Sequence, residues 1–359
     1  MTSSTMPPAV KANGSKLNVL ISEEAESLKM SVVHLWQREG YDGGDGGQSR
    51  FDWFYLRKNA PAPRLHLLYA SNESAPIGFV GIGPREWWAN GRQVRAGVLV
   101  DFVVARQHRT LFPAISLQKH AHKAWFERGS LLYAMPNAKA TAIFRRMNPP
   151  VQLELAEFVR LLRPYAPLTR YMPRVFAKSV GWAVEQLNRL LLHVQLRTCT
   201  LSADYEESFG PEFTRFWAEL DKTSLSIGCR DATYLTWRFH EHPNRAYRIL
   251  VVRDGASDSL CGYFVCEMRG LTLAVRDCLL DGDVERQKLA LLLLSRAAIR
   301  LGAHSVRLVC SELPVMAKAL RSALFIRRGA RPIFCMMSGE RAKEWRDLHW
   351  YLTPADEDV

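Results

Sequence analysis

Apolar and polar positions in the first part of the chain predict a strand, a helix and then a run of strands. The segment LNVLISE has the composition of a strand, and EAESLKMSVVHLWQREG repeats its apolar residues at helical spacing. Turn signals stand at Asn72 and Pro76 and at the Asn90-Gly91 step, which predicts a hairpin because both residues tolerate positive φ. The strands that these turns separate are RLHLLYAS, PIGFVGIGPREWW and RQVRAGVLVDFVVA.

A glycine-rich stretch, YDGGDGGQSR, separates the first helix from these strands. No Lys-Ser or Lys-Thr follows it, and it precedes the aromatic patch FDWFYLRKN, so it does not fit the pattern of a phosphate-binding loop. We interpret it as a mobile loop near a substrate cleft.

From Pro113 onward the pattern changes to alternating helices and strands. AISLQKHAHKAWFERG predicts a helix that ends at Gly129, SLLYAMPN predicts a strand that ends at Asn137, and AKATAIFRRM predicts another helix. Residues 166–198 begin with prolines and continue as an amphipathic helix with basic residues outside its apolar positions. Such a helix packs between domains or lies on an anionic membrane surface, and packing between domains is the commoner use.

The second half repeats this order of strands and helices. YRILVVRDG, SLCGYFVCEM and LTLAVRDCLLDG predict strands, and they precede the helix VERQKLALLLLSRAAIRLGA, the strand SVRLVCS and the helix PVMAKALRSALF. A length of 359 residues also favours two domains over one. The predicted class is α/β (α+β), with two tandem domains that each have a mixed, mostly antiparallel sheet flanked by helices. The predicted parts are a flexible tail (1–16), a first domain (17–165), a linking helix (166–198) and a second domain (199–359).

Composition and charge narrow the functional classes. With 48% hydrophobic and 23% charged residues the chain is typical of globular proteins. The formal net charge of +12 favours acidic partners, such as nucleic acid, anionic lipid or a phosphorylated cofactor. The basic residues are scattered, however, and there is no zinc-finger spacing or basic zipper, so nucleic-acid binding is disfavoured.

Cysteine usage and apolar runs indicate the compartment. All seven cysteines lie in the second half without a C-x-x-C pair, which is typical of reduced thiols in a cytoplasmic protein. The amino terminus has no apolar run typical of a signal sequence, and the run Leu289 to Leu294 is far shorter than the roughly 20 residues that span a bilayer. We therefore expect no transmembrane segment, while contact with a membrane surface stays open.

The most informative segment is DFVVARQHRTLFPA. A strand that ends at Val103 and Val104, a basic loop and a helix that opens near Pro113 would direct free N–H groups and the positive helix end at one point. That arrangement binds a pyrophosphate. The alternative is an ordinary strand-to-helix turn with Pro113 at the first helical position.

The order of strand, Arg-containing loop, helix, strand, Asn and short helix resembles the signature of the GNAT superfamily of acyltransferases. Its loop pattern is Gln/Arg-x-x-Gly-x-Gly/Ala; Arg109 and Ala114 match it, whereas Phe112 replaces the first glycine. Asn137 and Ala140 match the family's Asn-x-x-Ala step. The second half resembles the second repeat of tandem GNAT proteins in RDATYLTWRFHEHPNRAYRILVVRD, LCGYFV and HWYLTPADEDV, so the likeness covers most of residues 17 to 355.

The resemblance implies an acyl-CoA site in the first half. The second half has LLDGDVERQKLA where the loop pattern would stand, so it is expected to shape the acceptor cleft instead. The residues implied to contact the cofactor are Val103, Val104, Arg109, Thr110, Leu111, Phe112, Pro113, Ala114 and Asn137.

The resemblance also directs the choice of catalytic candidates. Phe144 stands where many members have a tyrosine as general acid, and a phenyl ring cannot donate a proton. The candidates are then Tyr133, as an acid, and Asp101, as a base that acts through water. Their structural alternatives are a half-buried strand aromatic and an acceptor that supports the loop. No metal site is expected, because His120 and His122 would point to different faces of a helix, as would His240 and His242.

The implied activity is transfer of an acyl group, in the first place acetyl, from CoA to an amine on a small or saccharide-linked acceptor. Enzymes of cell-surface polysaccharide metabolism are among the proteins that the chain resembles. Two alternatives remain: a GNAT-fold protein that binds or scaffolds without catalysis, and a transferase that uses aminoacyl-tRNA, which the net charge of +12 would suit.

Overall fold

The computed structural model describes residues 10–12, 15–40, 45, 47–58, 60–147, 149, 151–164, 169, 171, 173–243, 246–337, 341–345 and 347–357. Much of the predicted flexible tail and of the glycine-rich loop lies outside these residues. Within the tail, however, Val10–Ala12 forms a short strand that pairs with residues 15–17. The flexibility predicted for residues 1–16 stays a prediction.

The described residues form strands and helices in the alternation that the sequence predicts. The strands are β1 (Val10–Ala12), β2 (Ser15–Ser22), β3 (Arg64–Ala70), β4 (Gly78–Ala89), β5 (Arg92–Val104), β6 (Leu131–Ala134), β7 (Val151–Leu161), β8 (Leu201–Glu206), β9 (Leu225–Gly228), β10 (Arg248–Asp254), β11 (Leu260–Arg269), β12 (Thr272–Leu280), β13 (Ser305–Cys310), β14 (Ile326–Met337) and β15 (His349–Tyr351). The helices are α1 (Ala25–Arg38), α2 (Gln48–Tyr55), α3 (Leu111–Phe126), α4 (Ala138–Arg146), α5 (Arg174–Gln195), α6 (Pro211–Glu219), α7 (Ala232–Leu235), α8 (Val284–Arg300), α9 (Pro314–Ser322) and α10 (Arg341–Glu344).

One continuous sheet runs through both halves of the chain, in the order β1-β2-β3-β4-β5-β6-β14-β7-β13-β12-β11-β10-β8. Most neighbours are antiparallel, whereas β5 and β6 are parallel in the first half and β12 and β13 are parallel in the second. The predicted class is thus confirmed: each half has a mixed, mostly antiparallel sheet flanked by helices. The two halves thus share the same local topology, although few residues are identical between them.

The two halves exchange strands, which the sequence did not lead us to predict. Strand β14 of the second half lies between β6 and β7 of the first, with Phe334 opposite Ala134 on one side and opposite Gln152 on the other. Strand β7 in turn pairs with β13. On the other side of the first half, β9 extends the edge of β4 and is itself paired with β15. A cut near residue 165 would therefore separate strands that are hydrogen-bonded to each other.

Three buried clusters hold the layers together. The largest, which we call the shared core, combines both halves, with Trp36, Trp87 and Tyr133 from the first and Phe213 and Trp350 from the second. A second cluster packs α8 and α9 on the sheet of the second half, and a third packs α3 and α4 on the sheet of the first. Each half thus has one helix-covered face of its own, and aromatic side chains of both halves bury apolar area together.

The predicted linking helix is α5. Its Leu192 joins the cluster of the second half, and its Asn188 amide donates to the carbonyl of Leu162 at 3.0 Å. Several large apolar side chains of the helix are exposed: Val175, Phe176, Trp182, Leu187, Leu190 and Val194. The helix therefore packs against the rest of the chain along one face. No helix among the described residues is both long and apolar enough to cross a membrane.

Because the sheet of the first half is completed by β14, we expect residues 1–165 expressed alone to lack a cooperative unfolding transition. The fragment would leave edges of β6 and β7 unpaired and half of the shared core exposed. Urea unfolding followed by circular dichroism measures this, with the full chain as control. A sharp two-state transition in the isolated fragment would show that the exchanged strand is dispensable.

Candidate functional site

The loop between β5 and α3 presents two free backbone donors. A short 3-10 turn (Arg106–His108) follows β5, and Thr110 caps α3 with extended backbone but no side-chain bond to it. The Thr110 amide donates to the carbonyl of His108 at 2.7 Å, and Pro113 has no N–H. Of the first-turn groups that have no intrahelical acceptor, the amides of Leu111 and Phe112 remain. Both lie at the positive end of a 16-residue helix dipole.

Arg109, the basic residue of the loop pattern, stabilises the loop through hydrogen bonds of its side chain. Its Nε donates to the carbonyl of Val104 at 2.8 Å, and its Nη2 donates to the carboxylate of Glu39 at 2.9 Å. The Glu39 side chain is buried at the end of α1 and also accepts from the Arg106 amide. Arg38, Arg106 and Arg109 all lie within 4.0 Å of this carboxylate, so the loop keeps an excess of positive charge. A contact between Arg109 and pyrophosphate stays a prediction.

Strands β5 and β6 diverge beside this loop. They pair in parallel from Ala96 opposite Leu131 to Leu99 opposite Ala134. Strand β6 then ends, whereas β5 continues through Val103 to Val104. Beyond Leu99 the edge of β5 that faces β6 therefore has no strand partner among the described residues, and the Val104 carbonyl there accepts from Arg109.

Asn137 follows the diverging end of β6, and its side chain caps α4. Its Oδ1 accepts from the Ala140 amide at 3.0 Å, which accounts for the Asn-x-x-Ala spacing as a helix cap. Asn137 is exposed, and its role in cofactor binding stays a prediction.

Asp101 occupies an irregularity of the β4–β5 pairing, with φ at 53° and its side chain buried. The Arg50 Nη2 donates to Oδ1 at 2.7 Å, and the Tyr55 hydroxyl donates to Oδ2 at 2.7 Å. The carboxylate thus fixes α2 against β5. This geometry matches the alternative of an acceptor that supports local structure, and it makes Arg50 and Tyr55 part of any chemistry at Asp101.

Two glycines of β4 make room for α2. A Cβ at Gly81 would lie 2.8 Å from Cε1 of Tyr55 and closer still to its hydroxyl oxygen. A Cβ at Gly83 would lie 2.6 Å from Cζ of Phe54. The spacing of these glycines in GFVGIGPREWW is the sequence signal for the approach of α2.

Tyr133 lies in the shared core. Its hydroxyl donates to the carbonyl of Asp356 at 3.0 Å, its ring packs 5.2 Å from that of Trp87, and burial raises the pKa of its hydroxyl well above the usual range. Phe144 belongs to the cluster under α3 and α4, where it stacks on Phe334 at 5.7 Å. The expectation of a half-buried Tyr133 is therefore wrong. The structure does not bring its hydroxyl to the cluster that holds Phe144.

The second half has the same gap between two parallel strands, but a carboxylate caps the helix that follows. Strand β12 pairs in parallel with β13 up to Val275 opposite Leu308, and it continues to Leu280. The carboxylate of Asp283 then caps α8 and accepts from the Arg286 amide at 2.9 Å. An anion at this helix end would meet the negative charge of Asp283, which already binds one of the first-turn donors.

Residues 230–238 brace the carboxyl-terminal segment. Arg230 donates to Asp356 at 2.5 Å and lies 3.4 Å from Asp277, and Tyr263 and Thr353 also donate to Asp277. Arg238 donates to backbone carbonyls of the same segment. Arg230 and Arg238 thus brace the carboxyl-terminal segment against the shared core. Among the described residues no group of three or more His, Cys, Asp or Glu could hold a metal.

The sequence matches no family model and no curated protein. Solved structures match in fold. A protein of unknown function from Enterococcus faecalis, named as a probable N-acyltransferase, aligns at a TM-score of 0.60 and 10% identity over 89% of this chain and 72% of its own. A tandem GNAT protein from the clavulanic acid biosynthesis pathway aligns at 0.54 and 14% identity over 90% and 99%.

The likeness extends to an enzyme with a long-chain acyl-CoA. Saccharomyces cerevisiae N-myristoyltransferase with bound myristoyl-CoA aligns at a TM-score of 0.51 and 13% identity, over 93% of this chain and 85% of its own. At these identities the comparisons show the fold. The chain has the GNAT fold twice in tandem, as the resemblance in the sequence implied.

The contact between Gly81 and Tyr55 predicts a coupled effect on stability. Gly81→Ala is expected to lower the free energy of unfolding by about 1–3 kcal/mol, because the new methyl group overlaps the Tyr55 hydroxyl. In the Tyr55→Phe background the cost should shrink. Urea unfolding of the four variants measures the coupling, with Gly329→Ala as a control because nothing lies within 4 Å of that position. Strictly additive effects would contradict the contact.

Proposed function

We propose that the protein transfers an acyl group from acyl-CoA to an amine, and that acyl-CoA binds to the first half alone. The observation that carries the proposal is the difference between the two helix ends that follow the diverging strands. At α3 the amides of Leu111 and Phe112 are free beside an arginine-rich loop, whereas at α8 a carboxylate, Asp283, holds the equivalent position. A pyrophosphate fits the first and is repelled by the second.

The residues present in the first half fit the parts of acyl-CoA. The amides of Leu111 and Phe112 would hold the pyrophosphate together with Arg106, whose side chain is largely exposed. The edge of β5 at Val103 and Val104 would hydrogen-bond the pantetheine amides in the gap beside β6. Because Phe112 replaces the glycine of the family pattern, we expect the phosphates to lie nearer the helix tip than the loop backbone.

Asp101 is the proposed acceptor of the proton that the amine loses. The amine nitrogen would attack the thioester carbonyl, a C–N bond would form, the C–S bond would break, and the proton would pass through water to Asp101. Arg50 and Tyr55 hold that carboxylate in position. The departing sulfur needs no tyrosine at position 144, because a thiol has an ordinary pKa of about 8.5 and its anion can leave unprotonated.

Acetyl-CoA is the first donor to test, since several solved structures of the same fold are named as N-acetyltransferases. A longer acyl group is the alternative, given the likeness to N-myristoyltransferase. A small or saccharide-linked amine remains the proposed acceptor. We expect a cytoplasmic protein, because all seven cysteines are free thiols and six of them are buried.

Acyl-CoA binding should respond to a negative charge at α3 and not at α8. Leu111→Glu is expected to weaken CoA binding at least tenfold through repulsion of the phosphates, while the acidic residue at a helix start leaves stability unchanged or slightly raised. Calorimetric titration with acetyl-CoA measures the dissociation constant. Leu111→Gln is the uncharged control, and Val284→Glu is the matched change at the first residue of α8. Equal weakening by both glutamates would refute a site confined to the first half.

Catalysis should depend on Asp101. Asp101→Asn is expected to reduce kcat by about 10² to 10⁴, the usual contribution of a general base, with little change in acetyl-CoA binding. Release of CoA thiol across a panel of amines measures the rate. Asp52→Asn, on the exposed side of the helix α2 that carries Arg50 and Tyr55, serves as control. If the wild type releases no thiol with any amine yet binds acetyl-CoA, the alternative of a binding protein without catalysis is favoured.

A further inference from the structure

Two arginines lie against aromatic side chains of the shared core without an ion pair to any residue that the structure describes. Arg57 follows α2 directly, and Arg85 projects from β4. Their guanidinium carbons lie 4.2 Å and 5.1 Å from the ring centroid of Trp237, so both groups contact the same indole. Arg85 also lies 5.5 Å from the ring centroid of Phe54. Residues of both halves therefore build this cluster.

Arg85 has buried donors that nothing accepts. Its side chain is only 8% exposed, and its Nε and Nη2 are buried without a hydrogen-bond partner. Neither Arg57 nor Arg85 forms an ion pair with any residue that the structure describes. Burial and the nearby charge of Arg85 lower the pKa of Arg57, although the carboxylates of Glu241 and Asp231 act in the opposite direction. Buried charged groups are normally paired and hydrogen-bonded, because leaving them unpaired costs free energy.

The contrast with neighbouring arginines makes this arrangement specific. Arg230, which is fully buried, has two carboxylates within 3.4 Å, Asp277 and Asp356. The core thus supplies carboxylates to Arg230 and backbone carbonyls to Arg238, which is equally buried. At Arg57 and Arg85 it supplies aromatic rings, which stabilise a guanidinium through cation–π contact but leave its N–H groups open to an acceptor.

We propose that Arg57 and Arg85 bind an anionic group, a carboxylate or a phosphate, of the amine that accepts the acyl group. Two guanidinium groups offer the planar, multidentate donors that such oxyanions match. The position suits an acceptor, because Arg85 packs against Phe54 of α2, the helix whose Tyr55 donates to Asp101. The acceptor is then an acidic amine, such as an amino acid or a phosphorylated amino sugar, and not a neutral or polycationic one. The identity of the ligand as acceptor rests on the proposed acyl transfer, whereas the anion site does not.

The anion site is tested first by binding alone. Isothermal titration with inorganic phosphate and with acetate should show binding to the wild type, and Arg57→Gln and Arg85→Gln should each weaken it about tenfold or more. Arg95→Gln is the matched control, because that guanidinium lies 5.7 Å from the Trp125 ring but is exposed. Equal affinity in all four proteins overturns the proposal. So does loss of phosphate binding by the wild type in saturating CoA, which would assign the anion to the CoA site.

A second variant separates loss of the anion site from loss of stability. Arg85→Met removes the unpaired charge and keeps the length of the chain, so without added anion its Tm should equal or exceed that of the wild type. The rise in Tm that phosphate gives the wild type should be lost. A clear drop in Tm with the phosphate response intact would identify Arg85 as a structural residue and overturn the proposal.

Matched acceptors test the link to acyl transfer. Thiol release from acetyl-CoA is compared for glycine against glycinamide and for glucosamine 6-phosphate against glucosamine. The wild type should prefer the anionic member of a pair by about tenfold or more in kcat/KM, and Arg57→Gln should abolish that preference. Transfer without preference, unchanged in Arg57→Gln, overturns the inference. Absence of transfer, with phosphate binding still lost in the variants, supports the anion site and counts against the proposed function alone.

Discussion

The pairing of β14 with β6 and β7 is the constraint on which the rest of the structure depends. Through it the sheet runs unbroken from one half into the other, and the aromatic face of each half is buried against the other. This burial holds α2 between β4 and Trp237, which places Tyr55 at Asp101 and Arg57 beside Arg85. It also encloses the carboxyl-terminal segment that Arg230 and Arg238 bind. The candidate site is therefore a product of both halves, although the residues implied to bind CoA all lie in the first.

The two copies of the fold differ at the first residues of the helix that follows the diverging strands. In both copies one strand extends beyond its parallel neighbour, and a helix follows that strand. At the first helix the preceding Thr110 makes no side-chain bond to the backbone, and at the second Asp283 does. A single carboxylate is enough to change a helix end from an anion site into a closed cap. The proposal that the first copy alone binds the phosphates of acyl-CoA rests on this difference.

Local features were accessible from the sequence, and non-local ones were not. Periodicity predicted the alternation of strands and helices, the loop before α3 and the repeat, because each depends on neighbouring residues. The place of β14 depends on pairing with strands roughly 200 residues earlier, which no periodicity records. The same holds for the partners of Asp101, since Arg50 and Tyr55 come from a helix at the end of a glycine-rich stretch whose composition predicts a loop. From the first half alone Tyr133 is expected to be half-buried, because the residues that cover it belong to the second half.

The exchanged strand also sets the order of events during biosynthesis. Strand β6 leaves the ribosome roughly 200 residues before β14, and at about 5–20 residues per second this is an interval of roughly 10 to 40 seconds. For that time the edges of β6 and β7 that β14 will cover are open, and the aromatic face that becomes the shared core lacks its partner. The nascent first half is thus a natural client for chaperones that shield strand edges and aromatic surfaces, and synthesis that stalls before Ile326 yields a product unable to close its sheet.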